Sequence, residues 1–323
     1  MVAFLIRRLG YSVLVLLVAS IITFVGVRET FNPLAKYAFS KDRTAVARAK
    51  HSLGLDKPLM VQYGTFIGKF VRGDWGTSSR TGDSVSSMIG PAMLNTLQLI
   101  VPGILISLFL AILLGIYSAV KQYSVGDYAF TGLSFLGISM PPFWFGLMAI
   151  EFLAIKPKEW FGTSNTPLDF IGLHTPGHTG VFNGDYWQHL LLPVLTLTIQ
   201  SIAEWSRYQR ASMLDVMSLD YVRTATAKGV PRRSVILKHG FRNALIPLVS
   251  VVAIDIGALF GGLVITEQIF SIPGMGKVFV DALNAGDAQV LVVWLLVTAF
   301  FVILFNLIAD LAYGILDPRV RLA

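Results

Sequence analysis

The sequence predicts an all-α polytopic membrane protein with six transmembrane helices and a large extracytoplasmic segment between helices 1 and 2. Of the 323 residues, 54% are hydrophobic and only 14% are charged, whereas a soluble domain carries about 25% charged residues. Six stretches are apolar enough for spans, each of which needs about 20 residues to cross about 30 Å of hydrocarbon. Lipid, rather than water, is therefore expected to surround most of this chain.

The first predicted span opens the chain, and the basic pair Arg7 and Arg8 before it places the N-terminus on the cytoplasmic side. It is too long and too poorly ended for a cleaved signal peptide, which predicts a retained anchor. Six spans return the C-terminus to the cytoplasm. The predicted spans are residues 9–27, 94–120, 128–150, 190–203 (extending toward 208), 244–266 and 288–309. The chain thus divides into an N-terminal tail with the first helix (1–27), an extracytoplasmic segment (28–93) and a five-helix transmembrane core (94–323).

The charge distribution agrees with this orientation. Residues 204–243 carry eight Lys or Arg against three acids, whereas residues 267–287 carry one Lys against three acids. Retention of Lys and Arg on the cytoplasmic side explains the net charge of +7 better than nucleic acid does, because no DNA- or RNA-binding pattern is present. The chain has no cysteine, which excludes disulfides, thiolate metal sites and a catalytic thiol.

The extracytoplasmic segment is itself rich in Lys and Arg, but long loops translocate largely regardless of their charge. Its residues 58–72 predict an amphipathic helix that starts near Pro58. Two interpretations stay open: a docking platform for an extracytoplasmic partner, or a helix that lies on the membrane surface or on the ends of the spans. The apolar face of this helix comprises Leu59, Tyr63, Phe66, Ile67 and Phe70.

A basic loop at about residues 209–243 is the most informative part of the sequence. Ser218 is expected to cap a helix of about ten residues that begins at Leu219, with Lys228 in its last turn. Gly229 suits the left-handed position after the helix, and Pro231 prevents continuation. A second helix is predicted from about Arg233 into the fifth span. The face expected to be open to a partner's groove includes Tyr221, Val222 and Ala225.

At these residues the chain resembles the membrane permease of binding-protein-dependent ABC importers. The family motif reads Glu-Ala-Ala, three residues, then Gly, and here Arg223-Thr224-Ala225 precede Gly229 at that spacing. The Arg in place of Glu, and the distant ending Leu245-Ile246-Pro247, both fit the dipeptide/oligopeptide subgroup, whose pattern matches residues 221–229 and 242–247. Further stretches resemble the subgroup in chain order, namely residues 53–59, 73–78, 139–144, 267–276 and 316–321.

The resemblance implies a transport subunit that is not itself an enzyme and that carries di- or oligopeptides by alternating access. It implies a second related permease, cytoplasmic ABC ATPase subunits that bind ATP and Mg, an extracytoplasmic substrate-binding protein, and no cofactor in this chain. Similar permeases serve nickel, haem or other small solutes, so these substrates stay as alternatives. The residues expected to transmit ATPase closure are Tyr221, Arg223, Thr224, Ala225, Lys228 and Gly229.

Asp255 is the ionisable residue nearest the middle of a predicted span, and such a carboxylate is expected to face the bundle interior or water. It could contact a substrate ammonium group in the translocation path, or it could form a hydrogen bond between helices. An ion-coupled secondary transporter is a rival function, but one carboxylate is thin support for coupling sites. A membrane enzyme is a further rival, for which the sequence offers no clustered catalytic groups.

Two other patterns are expected to be structural. Around Gly274 and Lys277 the segment lacks the first Gly and the final hydroxyl of a P-loop, so ATP is expected to be hydrolysed by another chain. His174 and His178 have a spacing that could serve a metal or haem, but Pro176 and Gly177 break the helix that would align them. A plain loop is the favoured interpretation, with no metal site.

Overall fold

The computed structural model describes residues 2–31, 34, 43–52, 54–162, 166–181 and 183–316. Within these residues the fold consists of fourteen α-helices and two π-helical turns, Ile150–Ile155 and Val235–Phe241. The α-helices are α1 Val2–Thr30, α2 Arg43–Ser52, α3 Leu59–Val71, α4 Val85–Val120, α5 Val125–Ser139, α6 Pro142–Ala149, α7 Lys156–Phe161, α8 Gly184–Met217, α9 Asp220–Ala227, α10 Arg232–Ser234, α11 Arg242–Gly262, α12 Val264–Ile269, α13 Met275–Ala285 and α14 Ala288–Leu316.

Four helical stretches in the described part of the chain are long and apolar enough to cross a membrane: residues 6–30, 85–120, 232–257 and 288–308. A fifth span results if α5 and the helix from Pro142 to Phe161, which meet at a bend of 104°, count together. Helix α8 has the length of a span but is more polar, because Glu204, Arg207 and Arg210 interrupt its apolar stretch. The all-helical, multi-span class is thus confirmed, whereas the number six stays a prediction.

The predicted third span, residues 128–150, is wrong as one continuous helix. Helix α5 ends at Ser139, and α6 starts again at Pro142. Met140 and Pro141 are extended, with ψ of 122° and 138°. A residue that precedes proline is displaced from helical geometry by the proline ring, and Met140 and Pro141 both precede one. The two consecutive prolines therefore break the helix that the apolar run predicts.

Two helices exceed the apolar stretches that predicted them. Helix α4 begins at Val85 instead of residue 94, and α8 extends from Gly184 to Met217. The extra first turns of α4 bury Val85 and Ile89 completely against other helices. Other helices of the protein cover these turns, so the turns need not be apolar on every side. Hydropathy alone therefore predicts that α4 begins later in the chain than it does.

Helices α4 and α8 pack closely at the centre of the fold. A Cβ on Gly103 would lie 2.1 Å from Leu197 Cδ2, and one on Gly115 would lie 2.6 Å from Gln209 Cβ. Small residues at such crossings let the helix axes approach, which favours association where lipid surrounds the bundle. The α4–α8 pair is therefore the frame on which the other helices are arranged.

Helix α3 confirms the predicted amphipathic helix and covers one end of α1. The Tyr63 hydroxyl and the Ser20 hydroxyl share a hydrogen bond of 2.7 Å. The buried Phe24 ring lies 5.7 Å from that of Tyr63 and 5.2 Å from that of Phe66. The apolar face of α3 thus packs on a span of the same chain, as the second interpretation of this helix expected.

The turn that follows α3 is fixed to the start of α14. The Ser78 hydroxyl donates to Asp287 Oδ2 over 2.5 Å, and Asp287 is only 2% exposed. Gln289 Nε2 donates to the carbonyl oxygen of Trp75 over 2.9 Å. These contacts join residues more than 200 positions apart and make the segment before α4 an integral layer of the fold.

A buried carboxylate organises the segment between α11 and α14. Glu267 is fully buried and accepts hydrogen bonds from Thr96 Oγ1 at 2.6 Å and from the amides of Gly276 at 2.7 Å and Lys277 at 3.2 Å. Both amides belong to the first turn of α13, where a negative charge is stabilised by the helix dipole. The Gly-Met-Gly-Lys segment, which lacks the residues of a P-loop, therefore begins a helix whose first turn binds a carboxylate of the same chain.

Candidate coupling site

Helix α9 is a short helix whose C-terminal end is set by Gly229. Gly229 has a φ of +76°, its amide donates to the Thr226 carbonyl at 3.0 Å, and the Val230 amide donates to the Ala225 carbonyl at 3.2 Å. This pair of bonds is the Schellman motif, which satisfies carbonyl groups at a helix end. The predicted left-handed glycine is confirmed, and Lys228 is the last residue before it.

The prediction that Ser218 caps this helix is wrong. The Ser218 hydroxyl donates to the Asp215 carbonyl at 2.7 Å, and so it closes the end of α8 instead. Leu219 holds the N-cap position of α9 without a side-chain hydrogen bond, and the helix has eight residues rather than ten. A serine hydroxyl can form a hydrogen bond with either a preceding carbonyl or a following amide. Here α8 extends to Met217, so the Ser218 hydroxyl bonds to a carbonyl of that helix.

The exposed face of α9 differs from the predicted face. Val222 and Ala225 are only 2% and 9% exposed, and they pack with Val235 of the following π-helical turn. Arg223, Thr224 and Lys228 are exposed instead. The inclusion of Ala225 and Val222 in a surface that a groove receives is therefore wrong, because their small apolar side chains form the base on which α9 rests.

Tyr221 joins α9 to the helix that follows it. Its hydroxyl donates to the His239 carbonyl at 3.2 Å and accepts from Asn243 Nδ2 at 2.7 Å, while its side chain remains partly exposed. The carbonyl oxygen of His239 has two lone pairs, so it can accept this bond in addition to a backbone bond. Tyr221 therefore connects the short helix to the π-helical turn through His239 and to the first turn of α11 through Asn243.

The π-helical turn Val235–Phe241 also packs on α8. Gly240 is buried there, and a Cβ at this position would lie 3.0 Å from Met217 Sδ and 3.6 Å from Met213 Cε. Both methionines belong to the last turns of α8. A displacement of α9 would consequently reach α8 and α11 through direct contacts, since no flexible linker lies between them.

Asp255 lies on α11 and is bound to α8. Trp205 Nε1 donates to Asp255 Oδ2 over 2.7 Å, and the Trp205 side chain is 1% exposed. This is the interhelical hydrogen bond that the sequence left as one of two alternatives. The indole donates to Oδ2, so Oδ1 of the Asp255 carboxylate can still accept hydrogen bonds from other donors.

A charged pair, which the sequence did not indicate, fixes α5 to α8. Arg210 Nε and Nη2 donate to the two oxygens of Asp127, each over 2.8 Å. Asp127 is 2% exposed, and bidentate pairs of this kind combine charge with fixed geometry. In the sequence, Arg210 contributes only to the positive charge of residues 204–243. Its ion pair with Asp127 could not be predicted, because spacing along the chain does not reveal a partner 83 residues away.

The segment before α8 and the first turns of α8 bring together histidines and carboxylates that the sequence did not connect. Ligand atoms of Asp169, Asp185 and His189 lie within 4.8 Å of one another, a set that could hold a metal ion. Asp185 already accepts from Thr175 Oγ1 at 2.6 Å and lies 3.3 Å from His174 Nδ1. The hydrogen bond from Thr175 is the main cause that lowers the pKa of the Asp185 carboxyl. His174 therefore serves to attach its loop to the start of α8.

Together these features define an integral membrane protein that presents a short capped helix on a closely packed connection between α8 and α11. The chain belongs to the family of binding-protein-dependent transport system inner membrane components. The family profile of that description matches residues 111–322, and the profile for the N-terminal part of such components matches residues 1–99. The membership confirms the resemblance that the motifs indicated.

Relatives match over nearly the whole chain. The oligopeptide transport system permease protein AppB of Bacillus subtilis (strain 168) is 38% identical across 99% of this chain and 100% of its own length. OppB of Mycobacterium tuberculosis (strain ATCC 25618 / H37Rv), an oligopeptide permease, is 36% identical with full coverage of both chains. The dipeptide permease DppB of Escherichia coli (strain K12) is 34% identical across 99% of each chain.

Proposed function

We propose that the chain is the transmembrane permease subunit of an ATP-driven importer that carries di- or oligopeptides across the cytoplasmic membrane by alternating access. The observation that carries this proposal is the geometry of α9, a capped helix with a basic exposed face on a closely packed support. The names of the full-length relatives support the peptide class of substrate. Both termini lie in the cytoplasm in this proposal, which puts α9 on the ATPase side.

In this mechanism, the ATPase subunits hold the exposed face of α9, which Arg223, Thr224 and Lys228 form. Closure of the ATPases displaces α9 as a rigid unit, because the Schellman bonds at Gly229 keep its last turn intact. The displacement passes through Val222 and Ala225 to the π-helical turn. Tyr221 carries it to α11 through His239 and Asn243.

The remaining parts of the transporter are supplied by other chains. ATP and Mg bind to the ATPase subunits, a second related permease completes the pathway, and an extracytoplasmic protein delivers the substrate. A carboxylate in the translocation path would attract the α-ammonium group that every unblocked peptide carries. Asp255 is our candidate, since the Trp205 indole orients its carboxylate and occupies only one of its oxygens.

Gentle detergent purification of the tagged chain from its native membrane tests this function. We expect a P-loop ATPase and a second permease to be identified by mass spectrometry in the same complex. Dipeptides added with the binding protein should stimulate ATP hydrolysis, whereas amino acids should not. A chain that purifies alone and transports without an ATPase would contradict the proposal and favour an ion-coupled transporter.

A further inference from the structure

A cavity of about 370 Å³ lies where the end of α1 meets α3, the turn after α3 and the start of α14. Its lining combines an apolar part with a basic part. Phe24, Phe66 and Val292 contribute the apolar surface. The basic side chains of the lining include Arg28, Lys57 and Lys69. We call this space the basic cavity.

His51, which also lines this cavity, lies 2.9 Å from Asp56 Oδ2, but the other basic side chains of the lining have no ion-pair partner in the described part of the chain. Arg28, Lys57 and Lys69 form no ion pair there; Arg28 is half-buried and lies over the Phe24 ring at 5.4 Å. Asp74 is the one carboxylate in the lining, and its Oδ1 accepts the Gly76 amide at 3.1 Å. Three cations therefore face one acid, and a partly buried guanidinium without a counter-charge favours the binding of an anion.

The position of the cavity favours a lipid as the source of that anion. Arg28 is near the end of α1, and Ala288 and Val292 begin α14, and both helices are candidate spans. The ends of spans lie at the level of the lipid headgroups, where long basic side chains extend toward the interface.

A strip of apolar side chains leads from the basic cavity along α1. Leu14, Leu17 and Ile21 precede Arg28 in the chain at helical spacing. Leu14 and Leu17 are 58% and 50% exposed. Leu17 and Arg28 are eleven positions apart, which corresponds to about 16 Å along the helix at 1.5 Å per residue. This length is close to half of the roughly 30 Å hydrocarbon layer, which one acyl chain occupies.

We propose that the basic cavity binds the phosphate group of an anionic phospholipid, with an acyl chain along the apolar strip of α1. The three basic side chains would neutralise the headgroup, and the apolar lining would receive the glycerol and the upper part of the chain. Such a lipid would complete the packing between α1, α3 and α14. The proposal does not depend on the transported substrate.

Lipid retention tests the proposal on the full chain in nanodiscs of equal phosphatidylcholine and phosphatidylglycerol. After transfer to mild detergent, mass spectrometry gives the ratio of the two lipids that remain bound. We expect phosphatidylglycerol to be enriched, and K57Q/K69Q to lower the enrichment about fivefold for each lysine removed. Both lysines are exposed, so the variant is expected to fold.

The matched control is R72Q/R80Q, which removes two exposed positive charges from the same segment but none from the cavity lining. It should retain the enrichment of the unmodified chain. Equal enrichment in K57Q/K69Q and the control would overturn the proposal, as would no enrichment in any of them. Thermal stabilisation by inorganic phosphate to the same extent as by phosphatidylglycerol would assign the cavity to a free oxyanion and would also overturn it.

Discussion

Replacement of Gly229 by valine provides the sharpest test of the coupling helix. With a φ of +76°, the position costs an ordinary residue about 1–2 kcal/mol, and a β-branched residue more. A Cβ here would meet nothing within 4 Å, so backbone strain is the whole effect. A loss of 1–2 kcal/mol lowers the ratio of capped to frayed helix ends by roughly 5–30-fold. We expect transport to fall while insertion stays normal.

The assay is peptide uptake into proteoliposomes that contain the whole transporter, measured together with peptide-stimulated ATP hydrolysis. In Gly229→Val, the peptide carried per ATP hydrolysed should decrease. Gly229→Asn should retain most of the coupling, because asparagine tolerates the left-handed region far better than valine.

Gly286 offers a control of the same geometry outside the coupling loop. It has a φ of +66° after α13, its amide donates to the Leu283 carbonyl, and the next amide donates to the Ala282 carbonyl. Gly286→Val should therefore lower thermal stability to a similar extent while peptide carried per ATP stays unchanged. Normal uptake in Gly229→Val, or an equal loss of coupling in both valine variants, would refute the reasoning.

Three further substitutions test other contacts. Tyr221→Phe removes two hydrogen bonds, each worth about 0.5–1.5 kcal/mol, and should reduce uptake per ATP; unchanged uptake per ATP would contradict the connection. Asp255→Asn keeps an acceptor for the Trp205 indole but loses the charge, so uptake of cationic peptides should fall more than uptake of acidic ones; an equal fall would indicate a structural role. Glu267→Gln places an amide NH₂ among donor groups and should destabilise the protein by about 1–3 kcal/mol in thermal unfolding, whereas unchanged stability would show that the buried network is dispensable.

The sequence predicted those features whose cause is local. Gly229 followed by Pro231 specifies a helix end whatever the rest of the fold does, and the apolar spacing of residues 58–72 specifies one helical face. Both predictions hold in the structure. Hydropathy also identified most spans, because a long apolar stretch has few stable alternatives to a helix in lipid.

Features that depend on contacts with residues far away in the chain could not be predicted from the sequence. The face of α9 was assigned incorrectly because Val235, which covers Val222 and Ala225, lies in the next element. The sequence did not predict the buried network of Glu267, since its partner Thr96 is 171 residues away. Helix bounds were likewise misplaced where protein rather than lipid provides the apolar surroundings.

In the proposed mechanism, the contacts of α8 would let this helix, as well as α11, transmit movement from the loop. Near its C-terminal end Met213 and Met217 pack on the π-helical turn. Arg210 is bound to α5 through Asp127, and Trp205 is bound to α11 through Asp255. These attachments follow one another at intervals of three to five residues, so successive turns of α8 hold α11, α5 and the π-helical turn.

A displacement that reached only α11 would have to break or stretch the Trp205–Asp255 hydrogen bond, since α8 would remain in place. Because the Trp205 side chain is only 1% exposed, loss of that bond would leave its indole N–H without an acceptor, at a cost of about 1–3 kcal/mol. Joint movement of α8 and α11 keeps the bond intact. In the proposed movement, the Asp127–Arg210 pair would extend the moving unit to α5, and the break at Pro141 and Pro142 would be the place where this unit bends relative to α6.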